Sequence, residues 1–240
     1  MNLVKKDEKE VIGSMFEVGA HFGYVKARRH PSTKPFIFAA KDGVEIIDLE
    51  KTIEMLDNAK HFAYETAKNG GQILFVGTKS ESSTYIKDAA MTVDQPYVSN
   101  RWIGGTITNL PEISKRVRRL EDLEEQKEKG LLAKYTKKER LLIDRELIKL
   151  NERFGGIINM KGKPAAFFII DSKNEDNALR EAIETKTPVI SLSNSDCDIT
   201  KIKFPVLAND SSVKSVRFFV DQIVEAIKQG QKDSKQATEK

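Results

Sequence analysis

The hydrophobic pattern of this chain changes period at one place. Up to Ser99, and again from Ala165, short apolar runs alternate with helix-patterned segments. Between them lies a long charged stretch with a single narrow apolar stripe. The change falls on Asn100-Arg101-Trp102-Ile103-Gly104-Gly105-Thr106-Ile107-Thr108-Asn109, which holds the only tryptophan of the chain. A large aromatic anchors, a glycine pair permits a sharp bend, and Arg101 supplies a fixed positive charge. The stretch reads as a junction between two architectures.

The flanking pattern is that of an α/β protein. Ile73-Leu74-Phe75-Val76 and Ala165-Ala166-Phe167-Phe168-Ile169-Ile170 are continuous apolar runs, as expected of parallel strands buried on both faces. Phe36–Ala40 and Val44–Asp48 read as a hairpin turning at Asp42-Gly43. Further strands are expected at 96–99, 188–192 and 204–207. Helices are expected near 5–16, 49–68, 80–90 and 174–185, with a last one from the Asn209-Asp210-Ser211-Ser212 cap to about Gln229. Gly19-Ala20-His21-Phe22-Gly23 reads as a loop of close backbone approach. The alternation implies a doubly wound, flavodoxin-like, mainly parallel sheet with helices on both faces.

The charged stretch interrupts that sheet. Leu110, Ile113, Val117 and Leu120 step by three and four residues, as do Ile143, Leu147, Leu150 and Phe154. Thr136-Lys137-Lys138-Glu139 has capping-box spacing. One seam per helix with a turn between predicts an antiparallel coiled-coil hairpin. The expected organisation is a discontinuous sheet domain (1–108 and 157–229), a hairpin insertion (109–156) and a disordered polar tail (230–240). So narrow a seam leaves most of each helix to solvent or a large polar partner, and suggests an arm hinged at the junction.

Composition excludes several classes. One cysteine, Cys197, rules out an internal disulfide framework. Three dispersed histidines give no zinc-finger spacing. The amino terminus lacks the apolar core of a signal peptide, and no apolar run is long enough to span a bilayer, so a cytoplasmic location is expected. With Lys plus Arg at 40 and Asp plus Glu at 36, net charge alone does not make a nucleic-acid binder.

Ligands of doubly wound sheets sit beyond the carboxyl ends of the strands, where Asp48, Thr78, Lys79, Asp171 and Asn194 are expected. Gly77-Thr78-Lys79 before a helix could cradle a phosphate on backbone N–H groups, but the phosphate-loop pattern is incomplete, and no dinucleotide fingerprint or nucleophile elbow is present. Asp48 and Asp171 would be a carboxylate pair, metal ligands, or caps of the turns that follow them. His21 reads as a packed histidine bonded to backbone, and Trp102 as a core anchor. Cys197, flanked by Asp196 and Asp198, is expected to have a raised pKa and no reactive thiolate.

The basic groups are distributed: Lys26, Arg28, Arg29 and Lys34 in a proline-rich loop without acids; Lys79; Arg101; Lys115, Arg116, Arg118 and Arg119; and Lys134, Lys137 and Lys138 near the hairpin turn. Separate patches on a protruding arm suit a large folded RNA, met through phosphates and 2′-hydroxyls. A solvated, salt-bridged helix surface is the plainer alternative. The rival functional reading is an α/β enzyme or binding protein for a phosphate ligand, built on Gly77-Thr78-Lys79 and Asp171.

From about Met15 to Ile227 the chain resembles the bacterial small-subunit ribosomal protein S-two family. The likeness rests on Gly19-Ala20-His21-Phe22-Gly23, Lys34-Pro35-Phe36-Ile37-Phe38, Gly43–Thr52, Ile73–Lys79, Arg101–Asn109 and Gly155-Gly156-Ile157, in that order around a helical hairpin. The resemblance implies a non-enzymatic constituent of the small ribosomal subunit, binding rRNA between head and body. It implies a role in late assembly, a docking surface for protein S-one, and S-three, S-five and S-eight as neighbours. It implies no cofactor and no small-molecule substrate. Asn194-Ser195-Asp196 stands where Asp-Thr-Asn is common, and Leu207-Ala208-Asn209-Asp210 where Pro-Gly-Asn-Asp is common. Tyr24 replaces a histidine, and Arg28-Arg29-His30-Pro31 lacks the usual tryptophan. These departures weaken any case for a cation held by His21 and Asp210.

Overall fold

A computed structural model describes residues 2–238. Five strands form a wholly parallel sheet: β4 (Ile73–Val76), β5 (Tyr97–Val98), β6 (Ala166–Ile170), β7 (Val189–Ser193) and β8 (Phe204–Leu207), in the order β5-β4-β6-β7-β8. Counting only these strands along the chain, the order is second, first, third, fourth, fifth. That is the flavodoxin-like arrangement, with its switch point between the first and third strands, β4 and β6.

Helices cover both faces. Against one face pack α2 (Leu49–Lys68), α3 (Ser80–Thr92) and α7 (Val213–Thr238), with the end of α1 (Asn2–Glu17) beside them. They bury Ile73, Phe75, Phe168 and Ile170, and the Phe75 and Phe168 rings meet edge to face at 5.3 Å. The alternate residues Leu74, Val76, Phe167 and Ile169 face α6 (Asp176–Glu184), the junction and the root of the hairpin. A period of two thus divides one sheet between two cores.

The hairpin is α4 (Leu110–Glu128) and α5 (Lys137–Phe154). Its seam holds the eight residues read from the sequence, joined by Leu123. Thr136 and Glu139 form the reciprocal capping box at the start of α5. Arg119 pairs with Glu146 at 3.2 Å and Lys127 with Asp144 at 2.9 Å across the two helices.

The expected hairpin forms as β2 (Ile37–Lys41) and β3 (Val44–Ile47), an antiparallel pair outside the parallel sheet. Two expectations need correction. Part of the expected Gly19–Gly23 loop is a third strand of this small sheet, β1 (Phe22–Val25), in the order β1-β3-β2. Pairing to β3 with a register shift imposes extended backbone on this glycine-rich segment, whose own propensity is low. In addition, residues 230–238 are not a disordered tail: α7 runs on through Gly230 to Thr238. Gly230 sits so close to the α2 backbone at Tyr64 that no side chain would fit. Beyond it Tyr64 Oη donates to Asp233 at 2.6 Å and Gln231 Nε2 to the Val93 carbonyl at 2.7 Å. Residues 239 and 240 lie outside the described residues.

Candidate nucleic-acid interface

The crevice at the switch point is where a doubly wound protein would hold a small ligand, and here it is filled by the chain's own side chains. The carboxylate of Glu175 accepts from Thr78 N–H at 3.0 Å, Thr78 Oγ1 at 2.5 Å and Asn174 Nδ2 at 2.9 Å. The Thr78 N–H, which a phosphate would need, is therefore taken by an internal anion. Lys79 turns inward to pair with Asp171, and its Nζ lies 3.8 Å from Asp210. Burial by itself would lower the Lys79 pKa, but the hydrogen bond to Asp171 and the charges of Asp210 and Asp171 outweigh it and raise it. The ammonium is half-buried and paired with internal carboxylates, so Lys79 is not available to an external phosphate.

Asp171, Cys197 and Asp210 bring donor atoms within 4.8 Å of one another, a set that suits a cation on donor chemistry alone. Lys79 already supplies a positive charge between the two carboxylates. Asp210 is completely buried. Burial first, and then repulsion from Asp171, raises its pKa to about 6 against the pull of Lys79. The Cys197 thiol is pushed up to about 12, chiefly by burial and then by Asp171, with Asp210 and Asp196 adding less. The inert thiol was expected from its acidic neighbours, but desolvation is the larger cause. Asp48 is elsewhere, capping α2 by accepting from Glu50 N–H at 3.1 Å. Asp171 likewise caps its turn, accepting from the N–H groups of Lys173 and Asn174 at 3.1 Å each.

The small sheet is latched to the same edge. Ser195 accepts from Tyr24 N–H through Oγ at 2.9 Å, and from His30 N–H and Thr33 Oγ1 through its carbonyl. Asn194 donates to Asp210 at 3.0 Å. His21 is buried between the rings of Phe16 and Phe22, at 4.2 and 4.0 Å, and burial lowers its pKa. Its ring is held by aromatic packing, since Nδ1 has no hydrogen-bond partner among the described residues. Arg29 pairs at 2.9 Å with Glu45, a buried acid on β3, so it too serves the interior.

The junction is organised by a residue that no motif pointed to. Glu181 on α6 is 8% exposed, on a helix face otherwise made of Ala178, Leu179 and Ala182. One of its oxygens accepts from Trp102 Nε1 at 2.9 Å and Gly105 N–H at 2.8 Å. The other accepts from Ile107 N–H at 2.9 Å, Thr108 N–H at 3.2 Å and Thr108 Oγ1 at 3.3 Å. Burial pushes the carboxyl's pKa up, but these donors prevail and leave it below its ordinary value. Trp102 is the expected anchor, 7% exposed with its ring 6.0 Å from that of Phe167. Gly105 has φ +87°, which a side chain would oppose. The available sequence clue was an acid on the apolar stripe of α6.

The remaining predicted cations point outward. Lys26 and Arg28 lie in an exposed turn, where the Arg28 guanidinium stands 5.6 Å over the Tyr24 ring. Lys34, Arg101, Arg116, Arg118, Lys134, Lys137 and Lys138 are exposed. None of these nine forms an ion pair among the described residues. Lys115 pairs with Glu112 one turn back at 3.0 Å, and Arg119 is tied to Glu146. Exposed pairs of this kind are worth about 0–1 kcal/mol and exchange readily.

The geometry thus defines a class: a doubly wound α/β protein whose ligand crevice is internally closed and which carries exposed, unpaired cations on a basic loop and a helical arm. A profile of the ribosomal protein S2 family matches residues 15–230. The small ribosomal subunit protein uS2 of Roseiflexus sp. (strain RS-1) is 41% identical over 218 residues, 91% of this chain and 83% of that protein. That of Roseiflexus castenholzii is 42% identical over 217 residues, covering 90% and 82%. That of Chloroflexus aurantiacus is 37% identical over 219 residues, covering 91% and 92%. The chain belongs to the ribosomal protein S2 family. It is a structural component of the small ribosomal subunit rather than an enzyme. No helix among the described residues is long and apolar enough to cross a membrane.

Proposed function

We propose that this protein binds rRNA between the head and body of the small subunit and stabilises their relative placement. One observation carries the reading: nine of the thirteen cations read from the sequence, on the 26–34 loop, the junction and the arm, are exposed and form no ion pair among the described residues, while the ligand crevice is closed. The RNA-binding set is Lys26, Arg28, Lys34, Arg101, Arg116, Arg118, Lys134, Lys137 and Lys138, with Lys115 and Arg119 recruited by exchange of their surface acids. Lys79 and Arg29 are left out because each neutralises a buried carboxylate. In this reading the sheet domain (1–108 and 157–229) is the platform and 109–156 the arm. The exposed Leu141, Leu142 and Ile148 of α5 offer apolar contact to protein neighbours, which the family resemblance names as S-one, S-three, S-five and S-eight.

Phosphate contacts displace counterions, so affinity should fall with salt at a slope of roughly 0.7–0.9 per phosphate neutralised. Reversing Lys115, Arg116 and Arg118 to Glu should lower both the affinity for small-subunit rRNA and that slope, measured by filter binding at several salt concentrations. Unchanged affinity and slope would sink the assignment.

A further inference from the structure

We propose that Glu181 is the positioning residue of the arm: by gripping Trp102 and the backbone N–H groups of Gly105, Ile107 and Thr108, its carboxylate sets the direction in which α4 and α5 leave the sheet. The consequence for RNA rests on the function proposed above; the mechanical claim does not.

Between β5 and α4 the chain crosses Gly104 and Gly105, and α4 begins with no side-chain cap on its first turn. Backbone of that composition has many conformations open to it. The five donors that converge on Glu181 select one. A carboxylate suits the task because its two oxygens accept about four hydrogen bonds and donate none. An amide would turn an NH2 group toward N–H groups that need an acceptor. Glu181 is itself fixed, since α6 is anchored in the core on this face of the sheet by Ala178, Leu179 and Ala182. The returning helix of the arm, α5, is set independently. Gly156 lies against Tyr97 too closely for any side chain, and Asn100 Nδ2 donates to the Glu152 carbonyl at 3.1 Å. With one root wedged and the other pinned, the arm has a single direction instead of a hinge. A merely space-filling residue at this point of an apolar helix face would be aliphatic.

The test measures arm direction in the full chain. Spin labels are placed on Ala133→Cys at the hairpin turn and Lys87→Cys on α3; the native Cys197 is buried and does not label. The expected result is one narrow distance distribution for the otherwise unaltered protein and a clearly broader one for Glu181→Gln, with helical circular dichroism unchanged. The low-field amide resonances of Ile107 and Thr108 should move upfield in the same variant. A folded Glu181→Gln protein with the original distribution and amide shifts overturns the proposal. Should that variant fail to fold, Trp102→Phe removes one donor and keeps a ring; it should broaden the distribution, and an unchanged width overturns the proposal. Binding of rRNA should weaken about tenfold in the broadened variant, because a free arm must be ordered on binding. A broadened distribution with unchanged affinity supports the pin and counts against the arm as an RNA ligand.

Discussion

The carboxyl-end crevice and the helical arm use charge in opposite ways. In the crevice, Lys79 meets Asp171 and Asp210, and Glu175 meets Thr78, all within packed structure. On the arm, Arg116, Arg118, Lys134, Lys137 and Lys138 have no acidic partner among the described residues. A buried charge left without compensation is costly, so the interior has met each with a neighbour. A solvated charge costs little to leave unpaired and stays available to a phosphate. Under the proposed function, the same residue type therefore means stability in one region and recognition in the other.

The strongest way to break that contrast is Lys79→Met. It strands two buried carboxylates and should cost about 3–5 kcal/mol, read as a lower urea midpoint, whereas Arg116→Met on the arm should leave the midpoint unchanged. Equal effects would dissolve the distinction. Leu120→Ala, in the fully buried part of the seam, should cost about 2–5 kcal/mol. Hydrogen exchange should show that loss in α4 and α5 and spare β4 and β6.

Asp210 sharpens the comparison through pH. Its folded pKa of about 6 lies above the ordinary aspartate value, so the folded state binds the extra proton. Stability from this group is thus largest in acid and is lost as pH rises through about 6. Asp210→Asn should remove that component: the gap in unfolding free energy between variant and parent should change over pH 4–7 and level off above. Glu181 has the opposite sign. Its depressed pKa gives stability that is present above the unfolded value and lost as pH falls through the folded one. The smallest effect is expected at the capping box, where Thr136→Ala should cost about 1 kcal/mol, confined to the start of α5. Thermal unfolding would register it, with rRNA affinity nearly unchanged.

Much of this architecture was legible in residue order. The runs at Ile73–Val76 and Phe204–Leu207, the α2 boundaries and the hairpin seam are local patterns whose period survives folding. Three kinds of feature were not legible. β1 owes its extended form to pairing with β3, a contact between segments about twenty residues apart. The last turns of α7 are held by Tyr64 and Val93, far away in the chain. The direction of a long side chain is invisible in sequence: Lys79 and Arg29 resemble the other cations until Asp171 and Glu45 are placed beside them.

What residue order alone determined is the alternation that yields a doubly wound sheet, the single seam that yields an arm, and the bend at Gly104-Gly105 between them. These follow from hydrophobic periodicity and backbone freedom, both properties of neighbours in the chain. What only the tertiary structure decided is which charges are spent inside and where the arm points. Glu181 lies more than seventy residues beyond the tryptophan it holds. Hydrogen bonds and ion pairs depend on distances of about 3 Å, and only folding brings such residues that close.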